Sequence, residues 1–251
     1  MSSSSTSAVT ADQLPTEQAT IPVKSEDPGM TTLSREAVID RALTLADNEG
    51  FGAVSIRRIA QDFGVTPMAL YWYVKNKEEL LAAMGDRVLE NMGRPAPFDG
   101  GGLTRLRALL AALITALSRH PGGAGPAQVR VLECESGQEL AEGMLQALRH
   151  SGFSAQRSAE LTGAALHTAA MLVAGHPGGD LAVPKDRRAV VQAARRTALT
   201  ELPADRFPLL IEAARTLTDC ADEQGYYRAG IDLFLAGVEA IAGRSTEQTL
   251  G

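Results

Sequence analysis

The sequence predicts an all-α fold, with a small N-terminal domain of three helices built on a helix-turn-helix and a larger helical domain after it. Three observations carry this. Apolar residues recur at three- and four-residue spacing in successive segments beyond residue 30. Gly and Pro clusters punctuate those segments, and no stretch alternates as a half-buried strand would. At 251 residues and 45% hydrophobic content, the chain has material for one large or two modest helical domains, each with a buried core.

Residues 1–30 are rich in Ser, Thr, Ala and Pro without helical or strand period, and are expected to form a disordered tail. Ser34 is placed to cap the first helix and Glu36 to favour its dipole, while Val38, Ile39, Ala42, Leu45 and Ala46 form an apolar stripe. Gly50 and Gly52 end it. Ser55 caps a short second helix with Ile56, Ile59, Ala60 and Phe63 inward, and Gly64 supplies the left-handed conformation that stops it. Thr66 caps a third helix, with Pro67 tolerated at its first position, continuing from Met68 to Val74. Asn76 with Glu79 makes a capping-box-like start for a fourth helix through Leu80, Leu81, Met84 and Val88.

Pro95, Pro97 and Gly100 to Gly102 then punctuate the chain, so residues 31–92 are read as the helix-turn-helix domain with its connecting helix. Residues 93–243 form the larger domain and 244–251 a tail. Further helices are expected at 103–120, 137–150, 154–174, 186–200, 206–219 and 224–243. Breaks fall at 121–126, at Gly152 and at 175–184.

Composition narrows the function. No run of 18 apolar residues and no charged-then-apolar leader occurs, so a cytoplasmic protein without membrane association is expected. Cys134 and Cys220 match no zinc or redox spacing and are read as ordinary thiols. The chain carries a net charge of -6, which argues against coating nucleic acid by bulk electrostatics. Between Ser55 and Lys77, however, Arg57, Arg58, Lys75 and Lys77 face only Asp62, a local charge of +3 suited to a few phosphates and a groove. No phosphate loop, carboxylate pair or nucleophile-base frame supports an enzyme. A metal or redox sensor would have to use His120, His150, His167, His176 and the two cysteines, which lack ligand spacing. No cofactor or metal is expected.

Ala60, Gly64 and Leu70 have the spacing of a tight helix-turn-helix: a small residue at the crossing, glycine at the turn, an apolar anchor on the second helix. Helix pairs in plain bundles share that spacing. The second helix adds Pro67, Met68, Tyr71, Trp72 and Tyr73 around one inward Leu70. Three of the chain's eleven aromatic rings there suit contact with sugars, phosphates and thymine methyls. Trp72 or Tyr73 would alternatively cover the bundle beneath.

The stretch from Leu33 to Leu81 resembles the TetR family, and Leu70-Tyr71-Trp72-Tyr73-Val74-Lys75-Asn76-Lys77 is especially similar to the tetracycline repressors. The resemblance implies a homodimer that regulates transcription, usually as a repressor released from a palindromic operator in double-stranded DNA by a small molecule. An activator on the same fold remains open. Arg57 matches a position that reads guanine bidentately. Ser55, Tyr71 and Lys77 match backbone-contacting positions. Arg58, Thr66, Pro67, Met68, Ala69, Trp72, Tyr73 and Lys75 complete the candidate DNA-binding set. Pro67, Met68, Ala69 and Tyr73 depart from the repressors' residues, so their operator is not inherited. Two-fold symmetry would set the recognition helices about 34–36 Å apart.

Leu148 to Leu172 and Phe207 to Val238 resemble the repressors' ligand-binding and dimerisation domain more weakly. That likeness implies a four-helix dimer interface from 154–174 and 224–243, which the small residues Ala164, Ala165, Ala169, Gly230, Ala236 and Gly237 suit. It also implies an apolar cavity between those helices and the ones at 103–120 and 137–150. Candidate ligand-binding residues are Met144, Leu148, His167 and Met171, with core packing the competing role for each. Gly125 to Leu132 lacks the His and Thr, and Gly175 the acid, that hold metal-tetracycline in the repressors. A different small hydrophobic or amphipathic effector is therefore expected, signalling through the fourth helix.

Overall fold

The computed structural model describes residues 33–93 and 100–249, with side chains to residue 243. Among the described residues every regular element is helical. The expected N-terminal tail and the Pro95-Pro97 break lie outside them.

Four of the first helices begin on the side chains that the sequence offers as caps. In α1 (Arg35–Glu49), Ser34 accepts the Ala37 N–H. In α2 (Ile56–Asp62), Ser55 accepts that of Arg58. In α3 (Pro67–Leu70), Thr66 accepts that of Ala69, and in α4 (Lys77–Glu90), Asn76 accepts that of Glu79. A 3-10 turn at Phe51–Ala53 separates α1 from α2. The α4 capping box is offset: the Glu79 carboxylate accepts the N–H of Lys75 rather than that of the cap residue.

The larger domain comprises α5 (Gly102–Arg119), a 3-10 turn at Pro121–Gly123, α6 (Ala124–Arg130), α7 (Glu135–His150), α8 (Ala155–Ala174), α9 (Lys185–Thr200), α10 (Pro208–Thr218) and α11 (Glu223–Thr249). In α5, Leu106, Leu109, Leu110, Leu113, Ile114 and Leu117 recur at three and four and are all buried. They join a single apolar cluster that runs from Leu33 through Leu45, Ile59, Leu70 and Met84 into Leu140, Met144 and Leu148. Each such side chain contributes about 1.5–3 kcal/mol. The boundary near residue 93 is therefore not a gap in the core, because Leu80, Met84 and Leu89 of α4 belong to the same cluster as α5 and α7.

Three element boundaries differ from expectation. The third helix stops at Leu70 and turns over Tyr71–Tyr73, although Val74 N–H still donates to Leu70 C=O at 3.0 Å. The Gly/Pro-rich segment after His120 contains a helix: Pro126 falls in the first turn of α6, where its missing N–H has no helical partner to lose, and Ala124, Ala127 and Val131 face inward. The last helix continues through residues read as a tail, to Thr249. Helix α9 buries none of its own residues and pairs mainly with α10.

Candidate DNA-binding surface

The turn between α2 and α3 follows from one residue. Gly64 adopts φ +65°, which a side chain would strain, and its N–H donates to Gln61 C=O while Val65 N–H donates to Ala60 C=O at 2.9 Å. These two hydrogen bonds end α2 and reverse the chain so that Thr66 starts α3 immediately. Ala60 and Leu70 are both buried at the base of the pair. On the outside, Met68 (70% exposed), Tyr71 (47%) and Trp72 (81%) stand with Pro67 beyond the bundle surface. These rings and the thioether are left in water rather than laid over the bundle beneath. Arg57, on α2, is exposed and has no acidic partner among the described residues. Ser55 and Thr66 are engaged as caps, and Ala69 is half-buried.

Two of the sequence candidates turn inward or are held by protein groups. Tyr73 is half-buried and its hydroxyl donates to the Leu33 carbonyl at 3.2 Å, so it ties the end of α3 to the entry of α1 instead of facing outward. Arg58 forms a two-pronged bond with Glu49, at 2.8 and 2.7 Å, and a third bond to Asp62 at 3.2 Å. Asp62 also accepts from Arg41 at 2.9 Å. Burial raises the Asp62 pKa, but the hydrogen bonds from Arg41 and Arg58 outweigh it and hold the carboxyl below its ordinary range. The guanidinium of Arg58 is accordingly a brace between α1 and α2, and Glu49 reduces the local positive charge that residues 55–77 show alone. The Arg58–Asp62 spacing of four was readable as a helical pair. The bonds to Glu49 and Arg41 come from a neighbouring helix and left no local signal. Lys75 and Lys77 remain exposed, with Lys77 Nζ 6.0 Å from the Phe51 ring centroid.

The four ligand candidates do not converge on an open space. Met144 and Leu148 are fully buried in the core, Met171 is 60% exposed, and His167 is exposed with its ring nitrogen accepting from Gln128 at 2.7 Å. A void near the expected position, walled by Leu89, Leu113, Leu117, Leu166 and Ala170, has a volume of about 10 Å³. A cavity of about 590 Å³ opens elsewhere, between the Phe51 turn, α4, α6 and Leu181. There α4 and α6 are in backbone contact, since a Cβ on Gly85 would lie 2.7 Å from the Pro126 carbonyl oxygen. Arg130 of α6 also clasps Asp86 of α4 at 2.7 and 3.2 Å. Farther along the junction, Asp47 of α1 meets the His120 ring at 2.9 Å and accepts the Gly122 N–H at 2.8 Å. Among the described residues, no group of three or more His, Cys, Asp or Glu is placed to hold a metal ion.

Residues 38–84 match the family model of bacterial regulatory proteins of the tetR family, and residues 94–242 match that of the tetracyclin repressor-like C-terminal domain. The HTH-type transcriptional repressor DrrR1 of Streptomyces coeruleorubidus is 32% identical over 68% of this chain, an alignment that spans 59% of that relative's length. The tetracycline repressor protein class D of Escherichia coli is 27% identical over 84% of this chain and 91% of its own. Among solved structures, ActR of Streptomyces coelicolor in complex with actinorhodin superposes with a TM-score of 0.58 at 27% identity, covering 85% of this chain and all of ActR. The helix-turn-helix, the all-helical C-terminal domain and the two family matches together establish that this chain belongs to the TetR family of transcriptional regulators.

Proposed function

We propose that the protein is a ligand-responsive repressor that binds a palindromic operator as a homodimer and leaves it when a small hydrophobic or amphipathic molecule binds. The observation that carries the DNA reading is the pairing of Arg57, whose guanidinium has no acidic partner among the described residues, with the exposed Pro67, Met68, Tyr71 and Trp72 of the second helix and its turn. Arg57 would read guanine through its two parallel N–H donors, the aromatic face would contact sugar and methyl groups, and Lys75 and Lys77 would meet phosphates.

A second copy is supported by α8 and α11. Met171 and Leu233 are 60% and 78% exposed in the single chain, and Ala164, Ala236 and Gly237 beside them are exposed and small. Ala165 and Ala169 are used within the protomer, and Gly230 lies against Leu172 of α8. Small and apolar outward residues on two long helices favour close helix packing across a two-fold axis. A ligand response is supported by the likeness to ActR, whose structure holds actinorhodin, and repression by the likeness to DrrR1 and the tetracycline repressors.

The test is selection of bound DNA from a random library with wild type and Arg57→Ala. The expected result is a palindrome in which the variant loses discrimination at one base pair per half-site, a cost of about 1–3 kcal/mol. An asymmetric site of monomer length, or no enrichment at moderate salt, would overturn the proposal. Reporter expression in a deletion strain rises for a repressor's target and falls for an activator's.

A further inference from the structure

We infer that Ser158 and Thr162 of α8 select the effector's chemistry: they are the hydrogen-bonding anchors for an uncharged ring system that carries two oxygens about 5–6 Å apart. This rests on the ligand-responsive reading above and adds what the larger domain recognises in its ligand.

Ser158 is fully buried and Thr162 is 6% exposed, and neither hydroxyl oxygen makes a hydrogen bond among the described residues. A helix offers a remedy, the carbonyl four residues back, and this chain takes it repeatedly. Thr44, Thr115 and Thr168 donate to Asp40, Ala111 and Ala164, and the buried Thr218 donates to Ala214 at 2.8 Å. Thr168 stands on α8 itself. Ser158 and Thr162 leave that acceptor unused, although a hydroxyl taken out of water without a bond is costly to keep. Unspent hydroxyls in an apolar interior suit a guest that brings the missing partner, because such a guest relieves the cost and a plain hydrocarbon does not.

Their placement makes them a pair. Ser158, Thr162, Leu166 and Ala170 follow at four-residue spacing along one side of α8, and the small, buried Ala165 and Ala169 lie beside them. Helices α5 and α7 pack against α8. Farther along the row, Leu166 and Ala170 wall the void of about 10 Å³ together with Leu113 and Leu117 of α5. Room for a guest is therefore made by moving side chains rather than found open. Met144, buried on α7, is suited to move, since its three rotatable bonds let it refill a space of another shape. Two hydroxyls one helical turn apart match two ligand oxygens at the same spacing, and each can donate to a carbonyl or accept from a hydroxyl. The apolar cluster to which Ala165 and Ala169 belong, with Leu106, Leu110, Leu140 and Leu148, contains no charged group, so the body of the ligand is uncharged hydrocarbon.

The experiment uses the full chain with anthraquinone and anthracene as probes, which share a three-ring frame and differ by two carbonyl oxygens on opposite sides of the central ring. Binding is read by equilibrium dialysis and stability by thermal melting, for wild type, Ser158→Ala, Thr162→Val and the control Thr168→Val. Valine has the shape of threonine and a similar helix propensity, so Thr162→Val removes the hydroxyl alone. Expected are one anthraquinone per chain in wild type and Thr168→Val, with anthracene bound at least tenfold more weakly. Ser158→Ala and Thr162→Val should lose that preference yet melt with or above wild type, because no bond within the protein is broken. A lower melting point in either variant would show its hydroxyl bonded inside the protein and overturn the proposal. Equal binding of the two probes by wild type, binding of neither, or an unchanged preference in both variants would overturn it as well. If wild type selects no DNA site, the regulator reading fails, while dialysis still decides whether the hydroxyls hold the probe.

Discussion

Replacing Gly85 by alanine should lower stability, although alanine is the better helix former. Gly85 lies inside α4, and a Cβ there would sit 2.7 Å from the Pro126 carbonyl oxygen, 2.8 Å from its carbon and 2.7 Å from Arg130 Cγ, where ordinary contact begins at 3.4 Å. Two of those three atoms are backbone, so no rotamer change removes the clash, and α4 must part from α6 by roughly 0.7 Å, the difference between those distances. Overpacking of this kind costs about 1–3 kcal/mol. The helix-propensity gain returns about 0.5–1 kcal/mol. The net loss of about 1 kcal/mol corresponds to a melting point lower by about 2–4 °C for a chain of this size. Gly125→Ala is the matched control: it is also helical, its Cβ meets nothing within 4 Å, and the same propensity gain should raise or preserve the melting point. Thermal and urea unfolding of the two variants beside wild type decide it. A Gly85→Ala protein that melts with or above wild type would refute the claim that α4 and α6 touch through their backbones.

Other consequences follow from the DNA-binding domain. Tyr73→Phe removes the hydrogen bond to Leu33 and should cost about 0.5–1.5 kcal/mol of stability while selecting the same DNA sequence; a changed base preference would place Tyr73 on the DNA instead. The Asp62 carboxyl is held below its ordinary pKa, so its pairing stabilises the fold above the unfolded value of about 3.9 and is lost as pH falls through the lower folded value. Asp62→Asn should therefore cost up to about 1 kcal/mol at neutral pH, with the difference from wild type vanishing in acid unfolding curves. Lys77→Gln should flatten the salt dependence of operator binding by roughly 0.9 per half-site. Arg58→Gln, whose guanidinium is already occupied by Glu49 and Asp62, should change melting more than that slope.

What was legible in the sequence is what local chemistry decides. An N-cap needs only a short polar side chain three residues before a free N–H, so Ser34, Ser55, Thr66 and Asn76 could each be placed without knowing any tertiary contact. Gly64 is of the same kind, since its positive φ is a property of the turn itself. What was not legible depends on partners far along the chain. Tyr73 reads equally as an exposed ring or as cover for the bundle until Leu33, forty residues earlier, supplies an acceptor. Arg58 reads as a phosphate ligand until Glu49 arrives from the preceding helix. The start of α6 was hidden for a different reason: Gly and Pro usually mark a break, but Pro126 falls in the first helical turn, one of the few places where a helix tolerates it.

The junction cavity shows the same limit in its strongest form, because a cavity is missing volume and no single residue announces it. Resemblance directs attention to positions on α7 and α8, yet His167 and Met171 on α8 are exposed, and on α7 Met144 and Leu148 belong with Leu113, Leu117 and Leu140 to one buried cluster. Volume is instead withheld at residues 121–126, Pro-Gly-Gly-Ala-Gly-Pro, six consecutive residues with almost no side chain. Five of them line the junction cavity. Such a run beside an otherwise leucine-rich helix does more than break the chain: it leaves α6 unable to fill the space against Phe51 and Leu81 while its backbone still reaches α4 at Gly85. The same small residues thus bring the two helices into contact at one point and hold them apart at the next.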